Sequence, residues 1–439
     1  MDAEAAIAAA RTAFDHGPWP KMPGAERARI MYRVGDLIEQ NLEELALLEA
    51  LEVGKAINQA RNEMRFSATL WRYAAGHAQG LGGELFNDLG EGAMGLVMRE
   101  PAGVVGIITP WNFPLLIASE RIPWAIGAGC TVIIKPSEFT SGSTIRLAEL
   151  ALEAGLPDGV LNVVTGYGAD VGQIFAEHPA VDAVNFTGSQ RIGTLIGSLA
   201  GANVKRVGLE LGGKGPHVVF ADADLDAAAV KIVGGAFHCS GQACIAGSRL
   251  VVHESVAEAL LDKVMGLARG IVTGDPLDER TQVGAMIHAA QLDKVADYVE
   301  QGRADGAELL IGGDRFADDG AFYQPTIFND VDPTLSIARE EIFGPVLSVF
   351  RFREPDEAIR LANDTPFGLS ASVWSTNLST AIQSIRAIRA GRTWINGMGD
   401  GAAQLAIGGY KKSGVGRELG KHGFDEYSEF KTVHVTLSL

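Results

Sequence analysis

The stretch GVVGIITPWNFPLLIASERIPWAIGAGCTVIIKPSE, Gly103 to Glu138, decides the fold. Two short aliphatic runs bound it, GVVGIIT at 103–109 and TVIIK at 131–135. Neither alternates polar and apolar residues, so each reads as a strand buried on both faces. The apolar segment between them is too long for a strand and reads as a helix. Strand, helix, strand is the unit of a parallel sheet. The pattern goes on through a helix from Ser143 to Glu153, LNVV (161–164), a helix from Ala169, AVNF (183–186), a helix from Gln190, and KRVGLEL (205–211). Such alternation predicts a parallel sheet with helices on both faces. Ligands of such sheets lie at the carboxyl ends of the strands, near helix N-termini.

A second series starts near Gly215. HVVF (217–220), a helix at 225–237, SRLVVH (248–253) and a helix at 255–268 open it. LSASVW (369–374), a helix at 377–389 and RTWIN (392–396) close it. Before the first sheet, residues 1–75 carry apolar residues at 3–4 spacing and read as helices. GLGGELFNDLGEGAMGLVMRE (80–100) reads as a projecting hairpin, and the alternating tail YSEFKTVHVTL (427–437) as an edge strand.

With 439 residues the chain is too long for one ordinary core. Its net charge of −17 argues against a nucleic-acid partner and against an anionic membrane surface. Three cysteines cannot build a disulfide framework, so a reducing compartment and a cytoplasmic location are expected. The longest apolar run is broken by Glu120 and Arg121, so no membrane span is expected. The histidines and cysteines show no metal-ligand spacing, and no metal is expected.

Three polar clusters follow strands of the first sheet: Asn112 in TPWNFP, Lys135 and Glu138 in KPSE, and Gly188 and Ser189 in FTGSQRIG. The match TGYGADVG to a phosphate-loop pattern is weak by itself, because a chain with 54 glycines gives such matches by chance. Two cysteines fall in FHCSGQACIAGSRL (237–250), where small neighbours surround Cys244. That loop fits a nucleophile, and equally a tight turn with a buried thiol.

Taken together, TPWNFP, IIKPSE, FTGS, LELGGK, GQACIAGSR, EEIFGPV and GGYKKSGVGRELG stand in an order that resembles the NAD(P)-dependent aldehyde dehydrogenase superfamily, over Ile108–Thr432. The resemblance implies an α/β fold with two doubly wound parallel-sheet domains, a Rossmann-like cofactor domain and a catalytic domain, plus a small β oligomerisation extension. The expected division is 1–79 and 101–211 for NAD binding, 212–413 for catalysis, and 80–100 with 425–439 for the extension. The catalytic set it implies is Cys244 as nucleophile, Asn112 as oxyanion donor and Glu210 as base for water, with Lys135 counted here as well as at the cofactor. A helix start at Cys244 would lower its thiol pKa. NAD is the expected cofactor, held by Ile108, Trp111, Lys135, Glu138, Gly168, Gly188, Ser189, Gly193, Leu211, Glu341 and Phe343. A carboxylate at Glu138 would accept bonds from a free ribose hydroxyl and repel a phosphate there, favouring NAD over NADP.

The same resemblance places Phe113, Glu120 and Ile245 on the substrate path, beside Cys239, Ala243 and the loop NGMGDGAAQLA (396–406). Glu120 and Asp400 near the mouth would favour a cationic amino- or betaine-type aldehyde. Trp124 and Trp394 are the candidate aromatics for such a cation. A generic aliphatic, aromatic or semialdehyde substrate is the alternative. Three rival classes stay open: a thiol hydrolase using Cys244 with His238, a coenzyme A-acylating relative, and an inactive binding relative. The expected partners are a small-molecule aldehyde and further copies of the chain, as a homodimer or homotetramer. Three departures from the family pattern stand out. Cys239 replaces a usual Asn, Ala406-Ile407 replace Pro-Phe, and a first strand pair usual before the helix at Ala3 is missing from the sequence. A disulfide between Cys239 and Cys244 is disfavoured by their spacing.

Overall fold

In the computed structural model, residues 2–316 and 320–436 are described. The strand Val104–Ile108 shows how the first sheet acquires two covered faces. Alternate side chains point to opposite sides. Val105 and Ile107 enter a core with Met31, Trp71 and Trp124, from helices Gly24–Gln40, Ile57–Ala78 and Pro114–Ala128. Val104 and Ile108 enter a second core with Ile7 and Ile196, from helices Asp2–Asp15 and Gln190–Ala202.

The sheet order is Gly414–Val415, Arg206–Glu210, Ala183–Thr187, Val104–Ile108, Thr131–Lys135, Leu161–Val163. All neighbours are parallel except the short first strand. Chain order reverses between Val104–Ile108 and Ala183–Thr187, which is where a doubly wound sheet opens its crevice.

The second sheet has seven strands, ordered Glu308–Ile311, Thr326–Asn329, Val346–Phe352, Arg249–His253, Pro216–Val219, Ser370–Trp374, Arg392–Ile395. Its first three strands and helix Ala289–Ala304 lie in a stretch that the sequence reading left unassigned. Val218, Phe350 and Val373 face one core while Val219, Val349 and Trp374 face the other. The fold is therefore α/β with two parallel-dominated sheets, each covered on both faces.

Glu84–Phe86, Ala93–Pro101 and Ser428–Thr436 form a separate three-stranded antiparallel sheet. The expected tail strand reaches Thr436, and residues 437–439 of the expected extension lie outside the described residues, as does residue 1. Beyond the second sheet the chain returns to the first body. Ala403, Leu419, Phe424 and Tyr427 join the core of Trp71 and Trp124, and Gly414–Val415 pairs with Arg206–Glu210. This return brings Glu418 to the crevice.

Candidate active site

The helix Leu225–Phe237 stops just before the cysteine loop. Cys239, Ser240 and Gly241 are all left-handed, with φ of 51°, 56° and 69°. Two of them carry a Cβ, so the conformation is held against its strain by contacts. Ser240 Oγ donates to the Gly284 carbonyl at 2.8 Å. Gln242 donates to the Cys239 carbonyl at 3.1 Å and accepts from the Ile287 N–H at 3.1 Å. Cys244 then sits in a turn closed by the Ala246 N–H on the Ala243 carbonyl, 3.0 Å. The helix start expected at Cys244 is absent, because the left-handed run ends the helix too early. Burial pushes its thiol up to about 12, and the charges of Glu341, Glu210 and Glu120 push the same way. At neutral pH the Cys244 thiol therefore keeps its proton. Cys130 and Cys239 are also free, so the disfavoured disulfide is not formed.

Asn112 follows the strand Val104–Ile108, is buried, and donates through Nδ2 to the Gln242 carbonyl at 2.8 Å. That bond ties it to the nucleophile loop two residues before Cys244. A side-chain amide has two N–H groups, so a second donor remains for an oxygen at the thiol.

Glu210 ends the strand Arg206–Glu210, which lies beyond Ala183–Thr187 in the same sheet, and is buried, with Oε1 lacking a partner. Burial and the charge of Glu418 raise its carboxyl well above the usual range, while Arg121 pulls it down. Arg121 Nε bonds Glu418 Oε1 at 2.5 Å, and both are buried. Glu341 also acts on the thiol. It accepts the Gly213 N–H at 2.8 Å, and burial pushes it up to about 7. Gly213 is needed at this point, since a Cβ there would lie 2.3 Å from the Cys244 carbonyl oxygen.

The remaining predicted residues line the carboxyl edge of the first sheet. Lys135 Nζ donates to the carbonyls of Pro136 and Gly166, each at 2.8 Å, and lies 3.6 Å from Glu138. None of these contacts is to Cys244, Asn112 or Glu210. Ser189 caps the helix Gln190–Ala202, accepting the Ile192 N–H. Gly188 N–H bonds the Glu210 carbonyl at 3.1 Å, tying this loop to the end of Arg206–Glu210. A Cβ on Gly193 would fall 2.3 Å from Leu211, so the helix rides directly on that side chain. Gly168 opens the one-turn π-helix Gly168–Gly172, and Ile108 touches Gly172. Trp111 and Phe343 meet edge to face with centroids 5.3 Å apart, and Phe343 is held at φ +60°. A cleft of about 830 Å³ opens beside Glu341, between Gln190 and Phe367.

On the substrate side, Phe113 is fixed from behind. Lys55 lies over its ring at 4.5 Å and His238 stacks on it at 6.1 Å. The Ile245 carbonyl accepts from Ser370 Oγ at 3.1 Å. Glu120 is part-buried, and its charge acts on the thiol. Two expectations for the mouth change. Asp400 is exposed and paired with Lys231 at 3.0 Å, so its charge is already met. Trp124 is wholly buried, with its N–H on the Gly420 carbonyl, and lies in the core rather than at the mouth.

The Aldehyde dehydrogenase family model matches residues 1–433. The chain belongs to that family. An NAD-dependent aldehyde dehydrogenase from Sinorhizobium meliloti superposes with a TM-score of 0.99 at 63% identity, over 100% of this chain and 87% of that one. The betaine aldehyde dehydrogenase of Staphylococcus aureus in complex with NAD+ gives 0.97 at 38% identity, over 100% and 88%. Among curated proteins, betaine aldehyde dehydrogenase of Bacillus subtilis is 44% identical over 99% of this chain and 89% of its own.

For an aldehyde dehydrogenase read from sequence, four side chains at the site were not foreseen: Arg121, Glu418, Gln242 and Lys55. Gln242 stands within the quoted GQAC, and Glu418 within GRELG. Arg121 and Lys55 look like ordinary solvated helix charges, and only the tertiary fold buries them.

Proposed function

We propose that this protein oxidises an aldehyde to its carboxylate with NAD as hydride acceptor, using Cys244, Asn112 and Glu210. The observation that carries the reading is the convergence of these three between the carboxyl ends of first-sheet strands and the cysteine loop at the starts of second-sheet strands. Asn112 is bonded to the cysteine loop at 2.8 Å. Glu210 keeps a buried oxygen without a partner and acts electrostatically on the thiol.

In this reading Cys244 Sγ gives up its proton to solvent water and bonds to the carbonyl carbon. The oxygen left negative is held by Asn112 Nδ2 and the Cys244 N–H. Bound NAD would accept the hydride that leaves that carbon. The carbonyl re-forms as a thioester on Cys244. Glu210 takes a proton from water, the water oxygen attacks, and the thiolate leaves. The raised pKa of Glu210 suits it to this work near neutral pH.

The residues at the sheet edge fit NAD. Glu138 offers a carboxylate beside Lys135 at the sheet edge, and the Ser189-capped helix offers N–H groups for a pyrophosphate. Glu341 would take the second ribose, with Trp111 and Phe343 beside it. Ile108, Gly168, Gly188, Gly193 and Leu211 would shape the wall, and Glu138 would disfavour NADP. Release to water rather than to coenzyme A is favoured by Glu210. A hydrolase using His238 is disfavoured, because that ring is stacked on Phe113 and lowered to about 4 by burial and Lys55.

For the substrate, Glu120 supports a cationic amino- or betaine-type aldehyde, and the 44% identical relative named betaine aldehyde dehydrogenase points the same way. A semialdehyde or a generic aliphatic or aromatic aldehyde is the second reading, favoured by the neutralised Asp400. The antiparallel sheet would join copies into a dimer or tetramer. It leaves Leu85, Phe86 and Phe430 exposed.

The test is NADH formation with NAD and a panel of aldehydes, with and without coenzyme A, in wild type and Cys244→Ala. Turnover without coenzyme A that disappears in the variant supports the reading. Undiminished turnover in the variant, or a strict coenzyme A requirement, sinks it.

A further inference from the structure

One glutamine joins both halves of the site. Gln242 is wholly buried and stands two residues before Cys244. Its main-chain N–H and its side-chain Nε2 both donate to the Cys239 carbonyl, at 3.0 and 3.1 Å. Its Oε1 accepts the Ile287 N–H at 3.1 Å. Its own carbonyl accepts from Asn112 Nδ2 at 2.8 Å. The two bonds to Cys239 span the left-handed pair Cys239 and Ser240, whose φ and ψ are 51°, 39° and 56°, 33°. Neither residue adopts that conformation readily, so the closure holds a strained turn.

Ile287 is a firm anchor. Its segment is gripped by the start of helix Ile57–Ala78, where the Ile57 N–H bonds the Pro276 carbonyl at 2.8 Å and Gln59 Nε2 bonds the Gln282 carbonyl at 2.9 Å. A Cβ on Gly284 would lie 2.0 Å from the Gly54 carbonyl oxygen, so the two backbones touch. Ser240 Oγ bonds the same segment at the Gly284 carbonyl, 2.8 Å. The Gln242 side chain is thus held between the strained turn and a segment braced from outside the loop.

This arrangement decides how Asn112 is turned. A side-chain amide has donors on one end and an acceptor on the other, and a peptide carbonyl only accepts. Facing the Gln242 carbonyl, Asn112 must present its NH2 group. Turned over, it would set two oxygens against each other. Its Oδ1 points away, buried and without a partner among the described residues. The Gln242 carbonyl therefore selects the orientation that keeps the NH2 group, with its second N–H, at the cysteine loop.

We infer that Gln242 is a positioning residue: its side chain fixes the peptide carbonyl that turns Asn112, so one group sets both the oxyanion donor and the nucleophile loop. This rests on the reading of Asn112 as oxyanion donor given above.

The experiment is a double-mutant cycle on kcat/KM for NADH formation, with thermal unfolding and NAD binding as checks on folding. Gln242→Met keeps the length and bulk of the side chain and drops both of its bonds. It should lose about 10²-fold, the scale of a misplacement of about 1 Å. Asn112→Ala should cost about 10²–10³ in wild type, the value of one oxyanion donor. In Gln242→Met it should cost less than about tenfold, because the two residues act as a unit. Costs that multiply in the double variant overturn the inference and leave Asn112 standing. An Asn112→Ala variant as active as wild type removes the oxyanion reading, and Gln242 with it.

Gln242→Glu is the second arm, and it decides the matter if the methionine variant does not fold. Protonated, its carboxyl reproduces both bonds, donating to Cys239 and accepting from Ile287. Ionised, it sets an oxygen against the Cys239 carbonyl. Burial raises the pKa of such a group, so its activity relative to wild type should climb as pH falls through its titration. A ratio that stays constant with pH overturns the inference. In the Asn112→Ala background the same ratio should be flat. A climb that persists there means that the new charge acts on the thiol directly, and it overturns the inference too.

Discussion

Two buried clusters of carboxylates and cations flank the helix Pro114–Ala128, and they are built to opposite ends. At its N-terminus, Lys55 bonds Glu49 at 3.2 Å and also bonds Glu63. Glu49 takes the Leu115 N–H and the Ser143 hydroxyl at 2.8 Å each. Burial alone would lower the Lys55 ammonium, but Glu63 and Glu49 together hold it above its ordinary range. Burial pushes Glu63 up to about 8, so it keeps its proton at neutral pH. Two turns along, Arg121 bonds Glu418, but Glu210 and Glu120 stand nearby with no cation bonded to them. The first cluster is closed around its cation, which bonds two carboxylates. The second carries surplus carboxylates; each cluster keeps one buried carboxylate oxygen without a partner, Glu63 Oε1 and Glu210 Oε1. Closure suits a group that positions, and surplus suits one that moves protons.

The largest effect expected from breaking this contrast is in rate. Glu210→Gln should lower steady-state turnover by about 10²–10⁴, the range of a general base, with little change in the unfolding midpoint. A first equivalent of NADH should still form rapidly, because thiol attack and hydride loss precede the step Glu210 serves. A slow first equivalent would move Glu210 to the earlier step. Stopped-flow absorbance separates the two.

The closed cluster should answer in stability instead. Lys55→Met leaves buried carboxylates without their cation, and breaking such a group typically costs about 3–5 kcal/mol. Urea unfolding would read it. The pH sign follows from Glu63. Its folded pKa of about 8 lies above the ordinary value, so its contribution is complete below the ordinary glutamate range and is lost as pH rises through about 8. Glu63→Gln should flatten stability over that window. A wild type equally stable throughout it would mean that Glu63 is not held protonated.

The sequence carried much of this molecule, for physical reasons that can be located. The runs GVVGIIT and TVIIK became Val104–Ile108 and Thr131–Lys135, because strands covered on both faces are aliphatic throughout. The strands Glu308–Ile311 and Thr326–Asn329 were missed. They are four residues each, one is half-exposed, and nothing periodic distinguishes them from loop. Asn112, Glu210 and Cys244 stood out through their motifs. The left-handed run at Cys239 and Ser240 did not, since neither residue type signals it. Arg121 and Lys55 were invisible as site residues, because which charges a fold buries is decided by packing far along the chain.

The smallest expected effect concerns the thiol itself, and it sharpens what surplus carboxylates do. After burial, Glu341 is the strongest of the influences that raise Cys244. A cysteine reacts as its thiolate, so alkylation of Cys244 should speed up with rising pH throughout the range below about 12. Glu341→Gln removes one repelling charge and should speed alkylation by up to about tenfold, or about 1.4 kcal/mol of repulsion. The gain must itself depend on pH. Below the Glu341 pKa of about 7 the wild-type carboxyl is already neutral, and the two proteins should react alike. Above it they should diverge. Iodoacetamide kinetics, with Cys244→Ser as the blank for the two buried cysteines, would show the crossover. A gain that is constant with pH would mean that Glu341 acts on the thiol through shape rather than charge. The carboxylates around Cys244 would then be a scaffold like the cluster around Lys55.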